Sequence, residues 1–214
     1  LELPIERMLK KGKPNIPFCL CWVNENWTRG WDGREDQILI AQQHSDSDDR
    51  AVIKDLMRYM QDPRYIRING KPLLLVYRIG LFPDIRRTVH IWREQCRKGG
   101  IGEIYLAMVE SFEHAKQSVD PREYGFDASV EFPPHEMSVP IEPPGKLINP
   151  NYTGVVSDYR EVVLAYLRKE LPGHTRFRAV MPSWDNTPRR QNESYIFAHA
   201  SPGAYQAWLE EVLE

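Results

Sequence analysis

The chain has 214 residues, of which 42 % are hydrophobic and 27 % charged, and its formal net charge is −2. This composition is ordinary for a globular protein, and the scattered Lys and Arg residues argue against nucleic acid as the main partner. No apolar run approaches the roughly eighteen residues of a membrane span, and the charged first segment is not a signal peptide. Since the first residue is not Met, we expect the chain to be part of a longer protein.

Helical and extended patterns alternate along the chain. Apolar residues three and four positions apart predict helices, and short, nearly continuous apolar runs predict buried strands. The predicted helices cover 4–10, 47–62, 83–100, 157–173 and 201–214. The predicted strands cover 16–23, 71–79, 103–110, 125–132 and 177–184. The acidic segment "HSDSDDR" is expected to begin the second helix, with Ser47 or Asp48 as its cap.

This alternation predicts an α/β fold, in which helices cover a parallel sheet. An open doubly wound sheet and a (β/α)8 TIM barrel both fit it. The chain lacks the Gly-rich phosphate-binding motifs of doubly wound nucleotide binders, and polar residues follow nearly every strand, as in a barrel active site. A full barrel needs eight strands and about 250 residues. We therefore expect a single domain over 1–214, a partial barrel that lacks the first strands and the last strand.

The three cysteines are expected to be free. Cys19 and Cys21 would point to the same face of one strand, an arrangement that rarely gives a disulfide, and Cys96 lies on a predicted helix. No Cys and His spacing fits a zinc site, and neither a metal nor another cofactor is expected. Small buried hydrophobic cysteines in a reducing compartment, the cytoplasm, are the favoured interpretation.

Side chains suited to a sugar follow the predicted strands. The first strand is followed by Asn24, Glu25, Trp27 and Arg29. Later strand ends supply Tyr77, Arg78, Glu110, Glu131, His135, Trp184, Asp185, Asn186 and Arg189. Indole rings pack on the CH faces of sugars, and amides, carboxylates and guanidinium groups pair with hydroxyls. Glycoside chemistry needs two flanking carboxyl groups, and a barrel would bring Glu25, Glu110 and Glu131 into one cleft.

Structural roles remain open for most of these residues. Trp22 and Trp31 are favoured as packing residues. Asn24 and Glu25 are favoured as functional residues because they follow a strand, and the alternative is that they cap a loop or bind Arg29. An ion pair with Arg78 would also explain Glu131. His135 is either a ligand donor or a surface histidine. The "DNTPRR" segment fits a turn, and Arg189 with Arg190 would hold a phosphate or form a solvated charge pair.

Four motifs in this sequence resemble one family. They are "CWVNENWTRGWDG", "KPLLLVYR", "GFDASVEFPPH" and "MPSWDNTPRR", and they lie in a segment from about 15 to 208. The sequence resembles the WbsX-type proteins, bacterial glycosyltransferases of surface polysaccharide biosynthesis, which are similar to the family-99 glycoside hydrolases of the endo-α-mannosidase type. The resemblance implies a (β/α)8 barrel that acts on carbohydrate. It also implies that the late Asn-Glu-Trp-x-Glu-Gly motif, which carries the family-99 reaction centre, is absent from this chain.

The resulting hypothesis is a domain that acts on glycosidic bonds in O-antigen-type polysaccharide biosynthesis or processing, with a glycan or sugar-nucleotide substrate. Glu25 and Glu131 are its predicted catalytic residues. The predicted substrate-binding residues are Asn24, Trp27, Arg29, Tyr77, His135, Trp184, Asp185, Asn186 and Arg189. Three alternatives stay open: a non-catalytic carbohydrate-binding fragment, an endo-acting glycoside hydrolase, and a barrel enzyme for a phosphorylated substrate. The sequence does not fix the oligomeric state.

Overall fold

The computed structural model describes residues 2–29, 34–112, 119–135 and 137–214. The chain forms two compact units. The first unit comprises Leu1–Asn24, Gln43–Val109 and Asp120–Ser129. The second unit comprises Glu25–Gln42, Glu110–Val119 and Val130–Glu214. Trp31, predicted as a packing residue, lies outside the described residues.

Helices and strands alternate, and the sheet of the first unit is mostly parallel, which confirms the α/β class. The helices are α1 (Glu2–Lys11), α2 (Asp46–Met60), α3 (Ile85–Lys98), α4 (Tyr159–Leu167), α5 (Thr187–Arg190) and α6 (Pro202–Leu213). The strands are β1 (Leu20–Trp22), β2 (Trp27–Arg29), β3 (Arg34–Ile40), β4 (Arg67–Ile68), β5 (Lys71–Val76), β6 (Tyr105–Glu110), β7 (Ala128–Glu131), β8 (Val155–Asp158), β9 (Arg176–Phe177) and β10 (Tyr195–Ala198). None of the described helices is long and apolar enough to cross a membrane.

The first unit is built on strands in the order β1-β5-β6-β7. β5 pairs in parallel with β1 and with β6, so that Leu74 stands opposite both Leu20 and Leu106. The short β4 pairs antiparallel with β5. Helices α2 and α3 contribute the fully buried Ile53 and Trp92 to the same core, as their apolar periodicity predicts.

Helix α2 begins as the acidic segment predicts, but its cap lies earlier. Ser45, not Ser47 or Asp48, has the extended cap backbone, and its hydroxyl accepts a hydrogen bond of 3.2 Å from Asp48 N. Asp46 lies in the first turn, where a negative charge is favoured by the helix dipole.

The second unit has its own core and two small sheets. β8 and β10 pair in parallel, and β2 and β3 form an antiparallel hairpin with shifts in register. Helices α4 and α6 pack together. Tyr159 and Tyr166 of α4 are buried against Trp208 of α6.

Some predicted elements were wrong. The strand predicted over 177–184 is reduced to β9, and Pro182, which has no N–H to donate, falls in the segment that is not extended into a strand. The strands β8 and β10 and the β2–β3 hairpin were not predicted, because four-residue strands and a hairpin rich in charge lack a long apolar run. Cys96 is buried as expected, but Cys21 is exposed and so is not a buried hydrophobe.

Candidate functional site

Two glutamates end neighbouring strands in the chain order and lie in the second unit. Glu110 is the last residue of β6 and Glu131 the last residue of β7. Their exposed fractions are only 5 % and 2 %. The predicted site residues follow the carboxyl ends of strands. Among them, Glu110 and Glu131 share one partner in the described residues.

The shared partner is Lys169, two residues after the end of α4. Its Nζ donates to Glu110 Oε2 over 2.6 Å and lies 4.0 Å from Glu131 Oε1. Arg176, the first residue of β9, donates from Nε to Glu110 Oε1 over 2.8 Å. Its side chain is 5 % exposed, and a second donor reaches the carbonyl of Glu170 over 2.9 Å. We call these four side chains, Glu110, Glu131, Lys169 and Arg176, the carboxylate cluster.

The two carboxyl groups of the carboxylate cluster have different surroundings. Burial raises the pKa of Glu131, and the N–H of Ala179, which donates to Oε2 over 3.2 Å, and the charge of Lys169 only partly oppose this effect. Glu110 accepts two charge-assisted hydrogen bonds, which favour its ionised form. In many enzymes, two carboxyl groups with different surroundings have different pKa values, so that one stays protonated and acts as an acid while the other stays ionised.

An aromatic group follows the two glutamates along the chain. The ring of His135 lies 5.2 Å from that of Phe132, in a stacked arrangement, and 4.7 Å from that of Phe112. Phe112 and Phe132 are 39 % and 41 % exposed. We call these three residues the aromatic platform. Partly exposed rings held by neighbouring rings provide an apolar surface that suits ligand binding.

Tyr166 connects the aromatic platform with the carboxylate cluster. Its hydroxyl donates to the carbonyl of His135 over 3.5 Å, and Lys169 Nζ lies 5.5 Å from the centre of its ring. Burial raises the pKa of Tyr166, so that the hydroxyl stays a donor. Tyr166, Lys169 and Arg176 were not predicted as site residues. The sequence indicates Lys169 and Arg176 only in a general way, because two glutamates buried at strand ends require cationic partners from elsewhere in the chain.

Three predicted residues lie on or near the β2–β3 hairpin. Trp27 is 49 % exposed and stands opposite Ile40. Arg29 donates to Gln37 Oε1 over 3.2 Å across the hairpin. Glu25 is half-buried just before β2. The hairpin thus holds an exposed indole, as a sugar-binding surface would, but the roles of these three residues stay predictions.

Four more predicted residues belong to the segment around α5. Trp184 is 48 % exposed, and its carbonyl accepts a hydrogen bond from Phe197 N over 3.0 Å. Asp185 Oδ1 accepts from Thr187 N over 2.8 Å, and Asn186 Oδ1 accepts from Tyr195 N over 2.6 Å. These side chains form turns, as the alternative interpretation of the segment had it. Arg189 is exposed on α5.

The remaining two predicted residues lie in the first unit. Asn24 is fully buried and makes a paired contact with the backbone of Arg78: Nδ2 donates to its carbonyl over 2.7 Å and Oδ1 accepts from its N–H over 2.9 Å. Tyr77 is half-buried, and its N–H donates to the carbonyl of Trp22 over 3.0 Å. Asn24 therefore fixes the loops after β1 and β5 to each other.

Comparison with known proteins identifies the family of this chain. The model of the glycosyltransferase WbsX family matches residues 1–214, and the chain belongs to this family. It is 45 % identical over 215 residues to the uncharacterized protein WxcX of Xanthomonas campestris pv. campestris, in the strains B100 and ATCC 33913. That match covers 100 % of this chain and 30 % of each relative, so the chain spans less than a third of their length. No solved structure matches the chain.

Proposed function

We propose that this chain belongs to an enzyme that forms glycosidic bonds in the biosynthesis of a bacterial surface polysaccharide. The observation that carries the proposal is one arrangement in the second unit: exposed aromatic rings follow two buried carboxyl groups that lie beside the same ammonium group. Membership of the glycosyltransferase WbsX family supports it. The free cysteines favour the cytoplasm as the place of the reaction.

The aromatic platform would bind the sugar. Phe112 and Phe132 would pack against its CH faces, and His135 between them would keep both rings in place. A partly exposed group of apolar rings suits the CH faces of pyranose rings better than it suits a charged ligand. The further predicted binding residues, Trp27 and Trp184, would extend the same type of contact along a glycan.

Glu131 would act as the acid of the reaction. Its raised pKa favours the protonated carboxyl group, which would donate its proton to the departing phosphate oxygen of the nucleotide sugar as the bond from that oxygen to the anomeric carbon breaks. The acceptor hydroxyl would form the new bond to the anomeric carbon and give its proton to the second catalytic carboxylate. Glu110, held by Lys169 and Arg176, would remain an anion. Glu25 is the predicted second catalytic carboxylate. A (β/α)8 barrel, of which this chain would supply part, would bring such strand ends to one face.

A second candidate function is carbohydrate binding without turnover. One observation favours it: Glu110 and Glu131 are almost completely buried, and their charges are compensated inside the protein. In that case the carboxylate cluster would only position the aromatic platform, as buried ion pairs do in many proteins.

Glycan binding and turnover by the full-length protein, with and without nucleotide sugars, test the proposal. We expect turnover that depends on a nucleotide sugar, which Glu131→Gln lowers at least a hundredfold without weakening glycan binding. Phe132→Ala should weaken binding about tenfold, since it removes one face of the aromatic platform. Leu171→Ala, at an 86 % exposed apolar residue of the same unit, is the matched control and should change neither.

The other outcomes separate the alternatives. Turnover without a nucleotide sugar would identify an endo-acting glycoside hydrolase instead. Binding that Phe132→Ala weakens, with no turnover under either condition, would favour the binding domain. Glycan binding that is unchanged in Phe132→Ala would overturn the placement of the sugar on the aromatic platform.

A further inference from the structure

A third group of charged side chains in the second unit lies at the ends of β8 and β10. These strands are parallel and in register, with Ala198 opposite Asp158, so they end side by side. Asp158 is the last residue of β8 and the cap of α4, and His199 follows β10 directly. The topology therefore brings together two residues that are 41 positions apart in the sequence.

Asp158 is the centre of this group. Arg160 donates to it from Nε over 3.0 Å and from a terminal nitrogen over 2.5 Å, and His199 Nδ1 lies 3.0 Å from Oδ2. Arg160 first and His199 after it hold the pKa of Asp158 well below its usual range. The carboxylate is thus an anion. The same terminal nitrogen of Arg160 also lies 3.2 Å from Nδ1 of His199, but a lone pair on Nδ1 would repel the carboxylate oxygen at 3.0 Å, so Nδ1 carries the hydrogen that points at Asp158. Nε2 is the ring nitrogen that does not face Asp158.

The backbone also positions the histidine. His199 has a φ of +62°, in the left-handed region that few residues other than glycine adopt, although His is among those that tolerate it. This conformation turns the chain from β10 towards Ser201, the cap of α6, and directs the imidazole ring to Asp158. A strained residue whose side chain is engaged in this way is a reason to look for a function.

Two polar atoms at the group remain available. Within the described part of the chain, neither Nε2 of His199 nor the second terminal nitrogen of Arg160 makes a hydrogen bond, and the two side chains are 37 % and 60 % exposed. The Arg160 nitrogen is a donor, and Nε2 is an acceptor whenever the imidazole ring is neutral. Adjacent hydroxyls of a sugar present the complementary pair, because one hydroxyl donates while its neighbour accepts.

We propose that Asp158, Arg160 and His199 form a binding position for a vicinal diol of a neutral sugar. One hydroxyl would donate to Nε2 of His199, and the next would accept from Arg160. An anion is disfavoured, because the ionised Asp158 compensates the charge of Arg160. The proposal rests on the proposed function and adds to it a second position for the glycan, with Asp158 as a positioning residue that holds both partners.

Chemical footprinting of the full-length protein tests this. Diethyl pyrocarbonate acylates the free nitrogen of a neutral imidazole, and mass spectrometry reports the modified fraction of each histidine. Saturation with a neutral oligosaccharide bound by the protein should slow the modification of His199 at least fivefold. His90, an exposed histidine on α3 of the first unit, is the internal control and should react at an unchanged rate.

Substitutions and a second probe complete the test. His199→Asn keeps a residue that tolerates positive φ but removes Nε2, and it should weaken glycan binding about tenfold, whereas His90→Asn should not. Glycan binding with no protection of His199 would overturn this inference and leave the proposed function intact. Protection by inorganic phosphate rather than by the glycan would overturn it as well, since the position would then select an anion. Absence of any glycan binding would instead contradict the proposed function.

Discussion

The two units each contain a network of charged side chains, and the networks are built in opposite ways. In the first unit a cation is at the centre: Arg93 contacts Glu103 and Asp127 over 3.2 and 2.8 Å. In the second unit a carboxylate is at the centre: Glu110 contacts Lys169 and Arg176 over 2.6 and 2.8 Å. The outer carboxylates of the first network are 40 % and 22 % exposed, whereas Glu110 is 5 % exposed.

This difference separates a structural network from a candidate site. Arg93 also donates to the carbonyls of Ile104 and Gly125, and Asp127 accepts from the N–H of Leu106, so the first network fastens α3 to the backbone around β6. Its charges remain close to water. The carboxylate cluster has lost most of its hydration, which raises the pKa of Glu131. Perturbed acids of this kind are concentrated at functional sites.

The largest effect is expected for Lys169→Met. It removes the ammonium group beside two buried carboxyl groups and leaves Glu110 with Arg176 as its cationic partner among the contacts described. Breaking a buried pair in this way costs about 3–5 kcal/mol in the free energy of unfolding, measured by urea denaturation.

The matched control is Lys98→Met. Lys98 is 65 % exposed and pairs with Glu94 along α3, so the same substitution should have no measurable effect. Hydrogen exchange should place the loss caused by Lys169→Met in the second unit, at amides such as Ala179. Equal effects of the two substitutions would contradict the distinction between buried and exposed pairs.

A smaller effect is expected for Arg93→Met. The substitution removes two ion pairs and two hydrogen bonds to carbonyls, but water reaches the groups that are left. We expect a loss of about 2 kcal/mol in the free energy of unfolding, again by urea denaturation. Arg122→Met, which breaks the exposed pair with Asp120, is its control and should cause no measurable change. A loss as large as that of Lys169→Met would remove the contrast between the two networks.

The sequence predicted one side of the carboxylate cluster and missed the other. Glu110 and Glu131 end β6 and β7, which lie within the apolar runs predicted as strands over 103–110 and 125–132, and the period of a strand fixes on which face its last side chain lies. Lys169 and Arg176 are 59 and 66 positions away from Glu110, in a helix end and a two-residue strand. Nothing local distinguishes them from the other charged residues of the surface. Pairing between distant segments is a tertiary property, which local patterns do not contain.

The same limit explains the other results. Asn24 and Asn186 were selected because they follow predicted strands, yet both bind backbone groups: Asn24 binds Arg78 in the loop after β5, and Asn186 accepts from the N–H of Tyr195 at the start of β10. An amide at a strand end suits a ligand and a turn equally well, and the sequence does not distinguish the two. The Asp158 and His199 pair depends on the register of β8 and β10, two strands too short to be predicted.

The smallest effect, and the sharpest comparison of the two networks, is the pH dependence of stability. The pKa of Glu131 is raised by burial, so the folded protein holds this proton more tightly than the unfolded chain does. The contribution of Glu131 to the free energy of unfolding is complete below the pKa that this glutamate has in the unfolded chain. It is lost as the pH rises through the pKa that it has in the folded protein. The hydrogen bond from Arg97 is the main cause that lowers the pKa of Glu103, and the hydrogen bond from Arg93 lowers it further. Burial opposes these effects without cancelling them. The contribution of Glu103 is present above the unfolded pKa and is lost as the pH falls.

Glu131→Gln and Glu103→Gln should therefore give slopes of opposite sign. Relative to Glu131→Gln, the unaltered protein should lose free energy of unfolding as the pH rises above 4.5, the ordinary pKa of both groups. Relative to Glu103→Gln, it should gain free energy of unfolding as the pH rises towards 4.5 from below. Urea denaturation at several pH values measures both differences, and the amide of Gln keeps the size of each side chain. Slopes of the same sign would mean that Lys169 and Arg176 outweigh burial at Glu131. The carboxylate cluster would then be a second structural network, and no longer a candidate for acid catalysis.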